Sequence, residues 1–378
     1  MIRKNINKNS ESWEFQGNIY KNGKVIHRYH KRGFKTKAEA KIAEADYIKW
    51  YNHEGLPVPP YTLIVDDFLR YRKTQVKSST YVTDLPIYTR FRDILVGDYT
   101  DKDFLQNLID ECDKKYSKKE VEKIYYALSK LFKWMIREEY LNYNPMIRIT
   151  RDARKNEMPE KMNYWEPDEF KRFIDVIDDP MYKTAYMILY YMGLRKGELR
   201  ALTWEHVDLS NRTMTINQII SNKVLDGENP ITTPKTKNSF RTISIPKVLY
   251  KQLVSLYNAE KTFYGFSDER FVIGGIDRPV PNENLRRHLK NGIRDANKKI
   301  EQENEKNGTD IPPLCDLTIH GFRHSHASLL INNMSEGTFS DYEIAQRLGD
   351  TVQTLHSTYA HWFRKKDANV LNWLDDEF

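Results

Sequence analysis

Leu56-Pro57-Val58-Pro59-Pro60 places three prolines in four positions. No helix or central strand runs through such a segment, because each proline fixes φ, lacks an N–H and restrains the residue before it. The segments on its two sides must therefore fold apart from each other. A second break, the polar stretch Thr150-Arg151-Asp152-Ala153-Arg154-Lys155-Asn156-Glu157, divides the remainder. The chain of 378 residues is thus expected to be an α+β multidomain protein with domains at 1–56, 61–150 and 163–378.

The first segment predicts a small sheet carrying one helix. Ser12 to Tyr20 and Lys24 to Tyr29 are β-rich, and Lys21-Asn22-Gly23 between them holds an Asn-Gly pair, a strong hairpin signal. Thr36 with Glu39 reads as a capping box, followed by Ala38, Ile42, Ala45, Ile48 and Tyr51 on one helical face. Trp13 and Phe15 are assigned to the core rather than to stacking on bases. Residues 61–146 predict helices only, with starts at Thr100 and Ser117 and an apolar stripe of Ile124, Leu128, Leu131, Phe132, Met135 and Ile136. Lys118, Lys119, Lys123, Lys130 and Lys133 lie off that stripe, free to track a phosphate backbone or simply to be solvated. In the third segment Glu166-Pro167-Asp168-Glu169 opens a helix, and Met181 to Leu202 is helical with an interruption at Gly193. Thr213 to Ile220 and Arg241 to Ile245 are strand-like, and the rest is mostly helical.

Charge narrows the class of partner. The net charge is +7, and residues 1–60 hold 12 Lys/Arg against 6 Asp/Glu, so almost all of the excess lies in the first segment. Such a module suits phosphate contacts that release counterions. No stretch nears the roughly 20 apolar residues of a membrane span, and the N-terminus lacks an apolar signal core, which leads to a cytoplasmic expectation. Cys112 and Cys315 are too few for a disulfide framework or a thiolate metal site and are expected to be inert.

The chemistry-bearing residues are Arg195, His320 and Arg323 in His320-Gly321-Phe322-Arg323, and Tyr359, which lies 164 residues after Arg195. Attack on a phosphodiester needs cations at the non-bridging oxygens, and guanidinium is planar, permanently charged and suited to two parallel hydrogen bonds. A tyrosine hydroxyl can attack and keep the cut strand as an ester. Of the 24 tyrosines, Tyr359 stands out by its place after Leu348-Gly349 and before His361; Tyr342 lacks that context.

Tyr191-Met192-Gly193-Leu194-Arg195-Lys196-Gly197-Glu198-Leu199-Arg200, His320 to Ala327, Leu348-Gly349 and Tyr359-Ala360-His361 together resemble the motif boxes of the tyrosine recombinases. The domain order resembles that of integrases from temperate phages and conjugative transposons. The resemblance implies an arm-site-binding module, a helical core-binding domain and a mainly helical catalytic domain with a small antiparallel sheet. It implies site-specific cutting and rejoining of double-stranded DNA through a 3′-phosphotyrosine, without metal, nucleotide or cofactor. Arg195 and Arg323 then clamp the phosphate, His320 gives acid–base or hydrogen-bonding support, and Tyr359 is the nucleophile. Lys235, in Pro234-Lys235-Thr236, matches the family's catalytic lysine, with Lys237 as the alternative. Glu198 is read as structural and Arg200 as a surface or backbone-contacting residue.

Asp350 departs from the pattern, standing where the family has His or Trp; an orienting role toward His361 or Arg323 is expected. The apolar tail from Val370 to Phe378 docks on a neighbouring protomer in a DNA-bound tetramer or packs on its own domain. DNA-bending accessory proteins fit this picture. Other classes stay open: type IB topoisomerase-like relaxation, a metal-dependent relaxase built on His324 and His326, or a DNA-binding regulator with a vestigial site.

Overall fold

The structure, a computed structural model, describes all residues except 8–9, 22, 53–57, 152–161, 222, 235–236, 276–277, 335–338 and 364–378, and leaves undescribed the side chains at 5–7, 10–11, 21, 26, 237 and 360–363. It divides into two compact units, Met1–Glu157 with Lys223–Glu228, and Met158–Asn222 with Asn229–Phe378.

In the first unit β1 (Ile2–Asn7), β2 (Ser10–Lys21) and β3 (Lys24–Phe34) form an antiparallel sheet in that order. Lys21 pairs with Lys24, which makes the expected two-residue hairpin, and Gly23 has φ +74°. The first strand escaped the sequence because Arg3, Lys4, Asn5 and Asn7 give it no apolar alternation; its partner strand supplies the order. Helix α1 (Lys37–Tyr51) is capped by Thr36, whose hydroxyl accepts from Glu39 N at 3.1 Å, while Glu39 accepts from Lys35 N.

The buried face of α1 corrects the expectation. Ala40, Ala43 and Tyr47 pack on Phe15 and Tyr29, whereas Ala38, Ile42 and Ala45 are exposed. The sheet offers bulky rings, and small residues let the helix approach them; the helix carries apolar residues on two faces, and periodicity alone does not choose between them. Phe15 is fully buried and Trp13 partly so, as expected.

Helices α2 (Tyr61–Gln75), α3 (Ser78–Arg90), α4 (Lys102–Lys115) and α5 (Lys118–Arg137) complete this unit. Asp101 rather than Thr100 caps α4, accepting from Phe104 N at 2.9 Å. The α5 stripe from Ile124 to Met135 is buried with Phe68, Tyr88 and Tyr99, Ile136 is half-buried at its end, and the five lysines of α5 are exposed. The proline run is no free spacer at its end, since Val58 is buried in this core and the Pro59 carbonyl accepts from Tyr99 Oη at 2.6 Å. Leu63 of α2 closes the core under the sheet, and Lys31 pairs with Asp67 at 2.8 Å.

The second unit is built on α6 (Pro167–Ile174), α7 (Pro180–Met192), α8 (Lys196–Ala201), α9 (Lys247–Lys261), α10 (Asn282–Asn307), α11 (Gly321–Asn332), α12 (Asp341–Leu348) and α13 (Val352–Phe363). Its strands β4 (Val207–Asp208), β5 (Thr213–Ile216) and β8 (Arg241–Ser244) make one antiparallel sheet, and β6 (Ile219–Ile220) pairs with β7 (Ile231–Thr232). The single strand expected over 213–220 is therefore two. Phe322, one residue before Arg323, lies among Trp165, Phe170, Phe173 and Tyr186 with ring centroids 5.5–6.2 Å away. Truncating such a buried ring costs about 3–5 kcal/mol, so the start of α11 is held firmly from behind. Arg200 also differs from expectation: it is buried, and its Nε donates to the Val280 carbonyl at 2.8 Å.

Candidate functional site

Two glycines with left-handed backbone aim the site residues. Gly193 ends α7 with φ +64°, and a Cβ there would stand 2.6 Å from the His326 ring. Any other residue would be strained and would collide. The chain then turns through buried Leu194 to Arg195, which opens α8. Gly349 ends α12 with φ +70°, its Cβ position 2.8 Å from Arg241 Nη1, and delivers Asp350.

On α11, His320 just precedes the helix and Arg323 and His324 come after it on the same side, at i+3 and i+4. Arg323 is 2% exposed. Its Nη1 donates to the Gly193 carbonyl at 2.8 Å and to the Leu348 carbonyl at 2.7 Å, tying the ends of α7 and α12 to α11. Its Nη2 donates to Asp350 Oδ2 at 2.5 Å, and Arg195 Nη2 donates to Asp350 Oδ1. One carboxylate thus bridges both guanidiniums, each through its own oxygen. Arg195 also donates to Glu198 Oε1 at 3.0 Å and to the Gly349 carbonyl at 3.3 Å.

Glu198 is 3% exposed and is matched by Arg241, whose Nη2 donates to it at 2.8 Å. Burial raises the Glu198 pKa, but hydrogen bonds and charge from Arg241, then from Arg195, outweigh it and leave the carboxyl below its ordinary value. Among Arg195, Arg241, Arg323, Glu198 and Asp350, three guanidiniums against two carboxylates leave one net positive charge, enough for one phosphodiester.

Tyr359 breaks the geometry of α13, with φ −117° and ψ 17°, and is 2% exposed. Its Oη lies 3.1 Å from His324 Nδ1. Burial pushes its pKa up to about 12; Arg323 and Arg195 pull it down, and Asp350 pushes it up. His320 reaches solvent, yet desolvation by its surroundings, then Arg323 and Arg195, lower its pKa and favour the neutral ring. It stands edge-on to His324 at 4.7 Å.

The structure thus gathers Arg195, His320, Arg323, Asp350 and Tyr359. Lys235 lies outside the described residues, as do the side chains of Lys237 and His361 and the tail from Val370 to Phe378. Tyr342 is 64% exposed at the start of α12, on the rim of a cleft of about 1010 Å³ that reaches Asp350. His324 and His326 do not converge as ligands would. His326 is buried and accepts from Arg347 Nε at 3.2 Å, while His324 meets Tyr359. Arg241 and Arg347 were missed by sequence reasoning as members of this site, and His324, read from the sequence only as a possible metal ligand with His326, joins it instead as the neighbour of Tyr359.

The phage integrase family model matches residues 163–365, more than half of the chain. The chain belongs to that family. It is a tyrosine recombinase of the kind carried by mobile elements. A model for the arm DNA-binding domain matches residues 1–50. The ICEBs1 integrase of Bacillus subtilis is 33% identical over 69% of this chain and 66% of its own length, just under two thirds of it. The prophage ps2 probable integrase of Lactococcus lactis is 24% identical over 90% of both. In fold the chain is similar to the Tn1549 transposon integrase in complex with transposon right end DNA, with a TM-score of 0.60, 18% identity and coverage of 78% of this chain and 93% of that one. It is also similar to a lambda integrase tetramer bound to a Holliday junction, with a TM-score of 0.53, 15% identity and coverage of 85% and 81%. Among the described residues, no helix is long and apolar enough to cross a membrane.

Proposed function

We propose that this integrase cuts one DNA strand at a time with Tyr359, holds the 3′ end as a phosphotyrosine ester and exchanges strands stepwise to insert or excise a mobile element. The observation that carries the reading is a buried phenol held beside two guanidiniums that share one carboxylate. Arg195 and Arg323 bind the non-bridging oxygens of the scissile phosphate, where transition-state charge develops. His320 supports that phosphate as a neutral hydrogen-bonding group. Lys235, or Lys237 on the same loop, protonates the leaving 5′ oxygen.

Asp350 is the positioning residue in this scheme. With one oxygen on each guanidinium it sets their spacing before DNA arrives, and the incoming phosphate then takes up the remaining donors. Its charge is offset by the two arginines, so it orients the clamp without emptying it of positive potential.

Residues 1–56 act as an arm-site module and 61–150 as the core-site domain, on double-stranded DNA, with a tetramer as the working assembly. The family match at residues 1–50 and the basic excess of the first segment support the arm-site role. The Tn1549 and lambda integrases, in complexes with transposon-end DNA and a Holliday junction, support DNA and a tetramer as partners.

The test starts with a DNA site selected by the full-length protein from a random-sequence duplex pool. That site is synthesised with a nick, so that cleavage releases a short strand and traps any intermediate. The reading expects a covalent protein–DNA adduct that forms equally well in EDTA. Tight binding with no adduct would replace it with a DNA-binding regulator, and adduct formation dependent on a divalent ion would replace it with metal-assisted cleavage.

A further inference from the structure

We propose that His324 is the general base for Tyr359, taking the phenolic proton on Nδ1 as the tyrosine attacks phosphorus; this rests on the nucleophilic role proposed for Tyr359. The 3.1 Å separation of Nδ1 and Oη is hydrogen-bond distance for direct transfer. The two rings meet edge-on, 5.6 Å between centroids at 71°, which brings a ring nitrogen rather than a ring face to the hydroxyl. With the ring proton on Nε2, Nδ1 offers its lone pair to the phenol.

Two neighbouring polar groups are engaged elsewhere. Each Asp350 oxygen accepts from a guanidinium, and His326 accepts from Arg347. His324 is also fixed where this task needs it. Its helix is anchored by Phe322 in the aromatic core and by Arg323 on two backbone carbonyls. Tyr359 in turn sits where α13 departs from helical geometry, on a side chain almost closed to water. A phenol so enclosed has poor access to hydroxide or bulk water as a proton acceptor, so a base within the protein is required.

Atoms and charges balance through the step. The Tyr359 Oη–P bond forms and the P–O5′ bond breaks. The phenolic proton passes to His324, which becomes imidazolium, and the departing O5′ receives a proton from the ammonium of Lys235 or Lys237. On rejoining, the 5′-hydroxyl gives its proton back to the lysine amine as O5′ attacks phosphorus, the Oη–P bond breaks, and His324 returns its proton to the departing phenolate oxygen. Transfer to an imidazole from so weak an acid is unfavourable before attack, so the proton moves as the new O–P bond removes charge from Oη.

The experiment compares single-turnover cleavage of the selected nicked duplex by the full-length wild type, His324→Ala and His324→Asn, with DNA affinity and circular dichroism measured for each. His324→Ala is expected to cleave about 100-fold or more slowly at unchanged affinity, with part of the rate restored by added imidazole. His324→Asn keeps a hydrogen-bonding side chain that cannot take a proton, and is expected to remain slow. If His324→Asn cleaves at the wild-type rate, the contact merely positions the tyrosine and the inference fails. If His324→Ala does not fold, His324→Asn alone decides. Failure of the underlying reading looks different, because the wild type itself then gives no phosphotyrosine adduct.

Discussion

Two carboxylates in the second unit hold arginines in opposite ways. Glu198 and Arg241 are both buried, and Arg241 also donates to the Arg347 and Ser239 carbonyls at 2.8 and 3.1 Å. Asp350 instead bridges Arg323, which is enclosed, and Arg195, whose side chain keeps 31% of its surface exposed. A buried pair whose guanidinium is turned to its carboxylate and to backbone carbonyls has little left to offer a substrate and serves as scaffold. The bridged pair keeps an open edge, so its charge stays available. The contrast separates structural from working cations among residues that look alike in the sequence.

The contrast breaks first at Glu198. Glu198→Ala leaves Arg241 buried without its carboxylate, and the expected cost is about 3–5 kcal/mol of stability, read from urea unfolding. Replacing both partners by apolar residues of similar volume should recover most of that loss, because the penalty lies in the stranded charge. A single variant as stable as wild type would show that the pair is no scaffold.

His326 supplies a pH-dependent check on the same region. Burial, then the charge of Arg347, lowers its pKa to about 3, so the folded protein keeps the ring neutral where the unfolded chain protonates it. Stability from this group is complete above about pH 6.5 and falls as pH drops below it. The slope is at most about 1.4 kcal/mol per pH unit. His326→Gln should flatten the mild-acid part of the stability profile; an unchanged slope would mean that other groups set it.

The smallest effect belongs to Asp350. Asp350→Asn still accepts from one guanidinium, so single-turnover cleavage should fall only about 3–10-fold, equivalent to roughly 1 kcal/mol. Asp350→His should be tolerated. A loss from Asp350→Asn as severe as that from Arg323→Ala would make the carboxylate a participant in the chemistry rather than a positioning group.

Local signals in the sequence were readable where one segment decided its own structure. The Asn22-Gly23 hairpin, the α5 stripe and the helix break at Gly193 needed only chain chemistry. The motif boxes also brought Arg195, His320, Arg323 and Tyr359 forward before any packing was known. Features decided by distant partners were hidden. The true face of α1 depends on Phe15 and Tyr29, the burial of Arg200 depends on the Val280 carbonyl, and Glu198 finds Arg241 across 43 residues of chain. Asp350 was visible as an anomaly, but its bridge to both arginines was not, because residues 155 and 27 positions away converge on it only in the folded unit. His324 was legible only as half of a His-x-His pair, and its contact with Tyr359, 35 residues on, is made only in the folded unit.

The central claim is that the buried phenol beside the bridged arginines forms the bond to DNA. Trapping the adduct on the selected nicked duplex, digesting protein and DNA, and locating the phosphorylated residue by mass spectrometry tests it directly. The account predicts phosphate on Tyr359 and no adduct from Tyr359→Phe at unchanged DNA affinity. Phosphate on exposed Tyr342, or an adduct of normal yield from Tyr359→Phe, would contradict it.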